Sequence, residues 1–196
     1  MFPDLLKQNM AGIVDLSAAQ ISLLQAHYEL LLRWNQSLSL TTITGIEAAV
    51  TRHYCESLFL AAHLPPGAVR IADIGSGPGF PGFPVAVLRP DSSVTLIESH
   101  QRKAVFLREA ARGLPNVKVL PKRAEEVAER FDIAISRAVS YADLVRPLKK
   151  LAPRADLLTG AEAPSALKDF VWDAAIPLPW GAQRFLRTGL FHRCFT

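Results

Sequence analysis

The 196-residue chain combines 49% hydrophobic with 20% charged residues and carries a formal net charge of +4, so it can bury one substantial core and is too apolar for a disordered chain. It holds no apolar run near the roughly 20 residues of a membrane span, and residues 1–15 lack the basic start and continuous apolar core of a signal peptide. A cytoplasmic location is expected. Cys55 and Cys194 stand far apart and the five histidines are scattered, which argues against a disulfide framework and against a metal site.

The charge is uneven. Residues 1–60 sum to −2 and the remainder to +6, and residues 101–154 alone hold thirteen basic against six acidic side chains. A polyanion would bind that half, although a solvated set of helix faces would show the same count.

In chain order, Ser17-Ala18-Ala19-Gln20 has the form of a capping box. Ile21, Leu24, Tyr28, Leu31 and Leu32 follow at helical spacing, predicting a helix that ends near Trp34-Asn35. A looser segment over 36–44 precedes a second helix over 46–63, stopped by Pro65-Pro66-Gly67. These helices make residues 1–66 an N-terminal helical extension and leave 67–196 as the main domain. There, strands at 69–74, 93–98, 117–120, 131–136 and 155–158 alternate with helices at 81–88, 101–112, 124–129 and 141–151. Such alternation predicts a doubly wound, Rossmann-like α/β fold with a mostly parallel sheet. The tail is less regular: 167–172 reads as a short helix, and 174–178 with 184–194 as a closing strand pair. No internal repeat is present.

The chemistry concentrates at Asp73-Ile74-Gly75-Ser76-Gly77-Pro78-Gly79-Phe80-Pro81-Gly82, where the first strand ends. A tight turn alone would also use glycines, but here Glu98 follows at the tip of the second strand, 23 residues after Gly75. Together these predict a nucleotide-cofactor loop at the carboxyl ends of the strands. The order Asp-x-Gly-x-Gly-x-Gly differs from the dinucleotide G-x-G-x-x-G, and no basic residue lies between Asp73 and Gly82. A negative charge beside the loop suits a cationic sulfonium and amino acid better than a diphosphate. The expected cofactor is therefore S-adenosylmethionine, with Gly75, Gly77 and Gly79 allowing close backbone approach and Glu98 accepting from ribose hydroxyls.

These residues, with Trp34-Asn35, Leu40-Thr41-Thr42-Ile43, Arg52-His53, Glu56-Ser57-Leu58 and Ile135-Ser136-Arg137-Ala138, make the chain resemble the bacterial glucose-inhibited division protein B family over roughly residues 30–160. Members methylate N7 of a guanine in 16S ribosomal RNA. The resemblance implies a class I S-adenosylmethionine-dependent methyltransferase fold. It implies cofactor contacts at Gly75, Phe80, Ala124, Glu125 and Arg137. It also implies 16S ribosomal RNA or the small ribosomal subunit as partner; a monomer without metal is expected. The chain departs from the family pattern at Ser39, where Asn is usual, at Leu158-Thr159-Gly160, where a Lys-Gly pair is usual, and in a tail without a basic ending.

Guanine N7 carries no proton, so no general base is expected, and Arg137 is the candidate for positioning substrate or cofactor. Candidate RNA contacts are Arg52, His53, Arg102, Lys103, Arg123, Arg137 and Arg146. His53 also reads as a helix-packing histidine, and Phe80 or Phe83 as either a base-stacking surface or core. Two rival readings are a methyltransferase with a non-RNA substrate and a non-catalytic cofactor-binding ribosome-assembly factor.

Overall fold

The computed structural model describes residues 1–192. Helix α1 (Phe2–Met10) precedes the two expected N-terminal helices; its Phe2, Leu6 and Met10 recur every fourth residue and are all buried. In α2 (Ala18–Asn35) the capping box forms as expected. Ser17 Oγ accepts from the Gln20 amide at 3.2 Å and Gln20 Oε1 accepts from the Ser17 amide at 2.9 Å, satisfying two otherwise orphaned donors. The expected second helix is composite: α3 (Ile46–Ala49), a π-turn over Val50–Cys55, and α4 (Glu56–Ala62). π-turns inside helices are frequent at functional sites, and this one carries Arg52, His53 and Tyr54.

The alternating part follows as β1 (Arg70–Ile74), α5 (Gly82–Leu88), β2 (Ser93–Ile97), α6 (Gln101–Ala110), β3 (Val117–Leu120), β4 (Ile133–Arg137), α7 (Tyr141–Leu151), β5 (Arg154–Thr159), β6 (Phe170–Trp172), β7 (Ile176–Pro177) and β8 (Phe185–Phe191). The sheet order is β3-β2-β1-β4-β5-β8-β6, with β7 also paired to β8. β1 to β5 run parallel, and β8 runs antiparallel to β5. The order reverses between β1 and β4, the switch point at which such sheets bind ligands.

Side chains alternate along β1. Ile71 joins the cluster built from α1, α2, α4, α5 and α6, while Ala72 and Ile74 join the cluster under α7. The N-terminal helices thus share one core with the sheet and pack beside the helix that follows the glycine loop.

Two expected helices are absent. Over 124–129 only a 3₁₀ turn forms, Ala124–Glu126. Ala124 within the turn and Val127 just after it are the buried apolar residues of this stretch, one turn of stripe and too little to hold a helix against the sheet. Over 167–172 the chain forms β6, where Phe170 pairs with Phe191 and Trp172 with Gly189. Phe170, Trp172 and Phe191 pack together on one sheet face, so a two-residue period prevails over a helical one. The closing strands are β7 and β8, the former shorter than expected, and positions 193–194 of the expected second strand lie outside the described residues.

Candidate functional site

Parallel register sets Asp73 beside Leu96 and Ile74 beside Ile97, so the chain leaves β1 level with the end of β2. The Gly75 and Ser76 amides both donate to Ile97 O, at 3.0 and 3.1 Å. Gly75, Gly77 and Gly79 all take positive φ, at +70°, +55° and +97°. That conformation and the closeness of neighbouring atoms explain the glycines at 75 and 79.

Glu98 stands at the tip of β2 and is 8% exposed. Its Oε2 accepts from the Gly77 amide at 2.9 Å and its Oε1 from the His100 amide at 2.7 Å. An ionised carboxylate has about four acceptor positions, so two remain after it has tied the loop to the strand. Gly75, Glu98, Ala124, Glu125, Val139 and Asp143 line a cavity of about 120 Å³. The turn at Gly75, the Glu98 carboxylate at the end of the neighbouring strand and the Ala124-Glu125 turn thus border one cavity.

Asp73 lies elsewhere. The two-residue period of β1 points it into the helical layer, where it is wholly buried. Its Oδ2 accepts from the Gly82 amide at 3.0 Å and its Oδ1 has no hydrogen-bond partner. Burial pushes its pKa up to about 7, against the lowering effect of its hydrogen bonds and of Arg137. It anchors the start of α5 rather than presenting a charge to the cavity. A side chain on Gly82 would collide with Leu96 and with Asp73 itself.

A second group gathers at the end of β4. Arg137 Nη2 donates to His53 Nδ1 at 2.8 Å, and Arg137 Nη1 donates to the Arg52 carbonyl. Because guanidinium only donates, His53 Nδ1 is the acceptor, and Nε2–H donates to Thr41 Oγ1 at 2.9 Å. Burial, then the nearby Arg137 charge, lowers the His53 pKa to about 3, which keeps this ring neutral. Phe80 completes the stack: its ring lies 4.6 Å from His53 at 15°, with the Arg137 guanidinium 5.2 Å from its centroid. Burial lowers the Arg137 pKa to about 10, so it remains cationic at neutral pH.

Thr41, Arg52, His53, Arg137, Gly160 and Arg184 line a cavity of about 430 Å³. Arg184 is held by a bidentate pair with Glu56, 2.6 Å at each oxygen, and Glu56 is fully buried. A third cavity, about 550 Å³, lies on the other side of Arg137-Ala138-Val139 and includes Tyr141, Thr159 and Glu162.

The expected residues therefore divide. Gly75, Glu98, Ala124 and Glu125 meet at one cavity, and Arg52, His53 and Arg137 at another. Phe80 and Phe83 are 2% and 1% exposed, which makes both packing residues rather than an open stacking face. Arg123 borders the small cavity and Arg146 a neighbouring one with Glu125. Arg102 and Lys103 sit at the start of α6. Arg184, Val139 and His27 are additional; Arg184 meets Glu56 across 128 residues of sequence, a separation that leaves no local signal.

The reversed strand order, the glycine cradle and the acidic tip of β2 define a class I methyltransferase architecture. A methyltransferase from Aquifex aeolicus described as S-adenosylmethionine-dependent superposes with a TM-score of 0.60 at 14% identity, covering 74% of this chain and 93% of its own, a likeness of fold. The profile of the GidB family, described as rRNA small subunit methyltransferase G, matches residues 20–159. Ribosomal RNA small subunit methyltransferase G of Chromobacterium violaceum is 43% identical over 140 residues, 69% of this chain and 66% of that protein. Its counterpart in Nitrosomonas europaea is 40% identical over 153 residues, 74% and 70%. The chain belongs to this family, and the matched segment spans about two thirds of the length of these relatives.

Proposed function

We propose that the chain transfers the methyl group of S-adenosylmethionine to N7 of a guanine in 16S ribosomal RNA. The observation that carries this reading is the pairing of a cavity bordered by Gly75 and the Glu98 carboxylate with an arginine-lined cavity that adjoins it at Ala138-Val139, inside a chain of this family. Residues 67–196 are read as the methyltransferase domain and 1–66 as a helical extension that supports it.

The bound cofactor supplies an electrophilic methyl group. The chain's work is to bind and to align. Gly75, Gly77 and Gly79 let the backbone come close, Glu98 holds the ribose, and the Ala124-Glu125 turn borders the base. N7 offers an in-plane lone pair, so no group need remove a proton, and holding the two reactants in line supplies on the order of 7–11 kcal/mol in well-oriented cases. Arg137, fixed by His53 and by the face of Phe80, is poised to hold RNA beside the loop. Arg52 and Arg184 offer two more cations at the same cavity for phosphate.

N7 lines the deep major groove of A-form RNA, which side chains do not enter, so the target belongs to a loop or a partly unfolded region. Among the described residues no helix is long and apolar enough to cross a membrane.

The test is to incubate the protein with tritiated S-adenosylmethionine and naked 16S RNA, small subunits or whole ribosomes, then map the labelled base. Label on N7 of one guanine is expected, falling steeply with added salt. Label on protein alone, or on another atom, would replace this reading.

A further inference from the structure

We infer that His27, on α2, is a positioning residue that fixes the conformation of the glycine loop from beneath, so that the helical layer sets the affinity for the cofactor. This rests on the proposed cofactor site.

His27 is 2% exposed, and both ring nitrogens are engaged. Nε2 lies 3.0 Å from Pro78 O and Nδ1 2.8 Å from Tyr54 Oη. A carbonyl only accepts, so Nε2 carries the proton; Nδ1 is then the acceptor and the tyrosine hydroxyl the donor. Burial lowers the His27 pKa to about 3 and raises that of Tyr54 well above its ordinary value, which holds both protons in these places. The ring stacks on Phe83 at 4.2 Å and meets Phe80 and Phe106 edge-on. A Cβ on Gly79 would stand 3.2 Å from Nε2, so histidine and loop are in contact.

The ends of the loop are tied to Ile97 O and to Asp73, and its middle is held from three further sides. Glu98 takes the Gly77 amide from the strand side, and Ser76 O accepts the Gly79 and Phe80 amides within the turn. His27 supplies the anchor to Pro78, between the two glycines. Its partner Tyr54 adjoins His53, which receives Arg137. The hydrogen-bonded Tyr54–His27 pair thus supports the cradle from helices that precede the sheet, while His53 serves the basic cavity through its own bonds to Thr41 and Arg137. An apolar residue of similar size would fill the same space in the core, so packing alone does not call for imidazole here; the two hydrogen bonds do.

Three variants of the full chain test this: His27→Phe, His27→Gln and Tyr54→Phe. Each is titrated calorimetrically with S-adenosylhomocysteine, scanned for Tm, and followed by hydrogen exchange at the 74–82 backbone. His27→Phe keeps the ring and loses both bonds; His27→Gln loses the ring and keeps an N–H for Pro78. We expect His27→Phe to bind at least tenfold more weakly and to exchange faster in the loop. His27→Gln should recover part of the affinity although its Tm is the lower of the two. Tyr54→Phe should weaken binding two- to threefold. At saturating cofactor, the KM for RNA should be unchanged.

If His27→Phe matches the wild type in affinity and loop exchange while only Tm falls, or if Gln binds worse than Phe, His27 is a packing residue and the inference fails. If the position-27 variants do not fold, unchanged affinity and loop exchange in Tyr54→Phe overturns it. A wild type that binds no S-adenosylhomocysteine sinks the proposed cofactor site instead, and loop exchange in His27→Phe still decides the anchoring.

Discussion

Val139 Cγ2 stands 2.6 Å from the point a Cβ on Gly75 would occupy. The residue after the Arg137 strand end, Ala138, takes φ +59°, which turns Val139 back over the cradle. Gly75 is therefore required twice: by its own φ of +70° and by the side chain above it. Gly75→Ala should weaken S-adenosylhomocysteine binding at least tenfold and lower stability by about 1–2 kcal/mol from the left-handed backbone alone. Adding Val139→Ala should return part of the affinity, since it relieves the contact and leaves the backbone strain. Calorimetry on the single and double variants measures both components.

The pH dependence of stability should reveal Asp73. Its folded pKa, about 7, lies above its ordinary 3.8, so the folded state binds the extra proton. Its stabilisation is therefore full at low pH and declines as pH rises from about 4 to about 7. His27 and His53 act oppositely: folded values near 3, below 6.5, make stability rise with pH from about 3 to about 6.5. Asp73→Asn removes the opposing contribution, so the rise between pH 4 and 6.5 should steepen, by at most about 1.4 kcal/mol per pH unit. Urea unfolding at pH 4.5, 5.5 and 6.5 measures it; an unchanged slope would place the Asp73 proton elsewhere.

Glu56 and Arg184 join α4 to the start of β8 through a fully buried carboxylate. Removing one partner leaves the other charge desolvated, so Glu56→Ala should cost about 3 kcal/mol or more. Glu56→Ala with Arg184→Met should recover a substantial share of that loss. The double variant should nevertheless bind RNA more weakly, because the cation at the cavity is gone. Denaturant unfolding and RNA binding separate the two effects.

Arg137→Ala should reduce methyl transfer to RNA far more than it reduces folding stability. Arg137→Lys should restore little, since one ammonium does not reproduce a planar fork that bonds His53 and the Arg52 carbonyl while lying over Phe80. Parallel measurement of methyl incorporation and chemical denaturation decides it, and equal losses in both would make Arg137 structural.

Features with a local physical signature were legible in the sequence. The Ser17 capping box, the five parallel strands with three of the four helices between them, the glycine loop and the acidic tip at Glu98 each depend on neighbouring residues, and each stands where it was expected. The α1 stripe Phe2-Leu6-Met10 was equally present and went unread because no cap precedes it. Glu125-Glu126 looked like a helix start, but the short apolar stripe behind it supports one turn only. Phe170 and Trp172 fit a helix or a strand until Phe191, some twenty residues later, supplies the pairing partner. At the site, residue types were readable and directions were not. Asp73 is the clearest case: its charge suggested a ligand, and the two-residue period of β1 turned it into the core. The Glu56–Arg184 pair and the His27 anchor are made by tertiary approach alone.

Titration of the full chain with S-adenosylhomocysteine tests the central claim most directly, with Glu98→Ala as the control. Binding at one site is expected, at least tenfold weaker when the carboxylate is removed from the tip of β2. Absence of heat at millimolar ligand, or equal binding by the Glu98 variant, would contradict the cradle as the seat of the methyl donor.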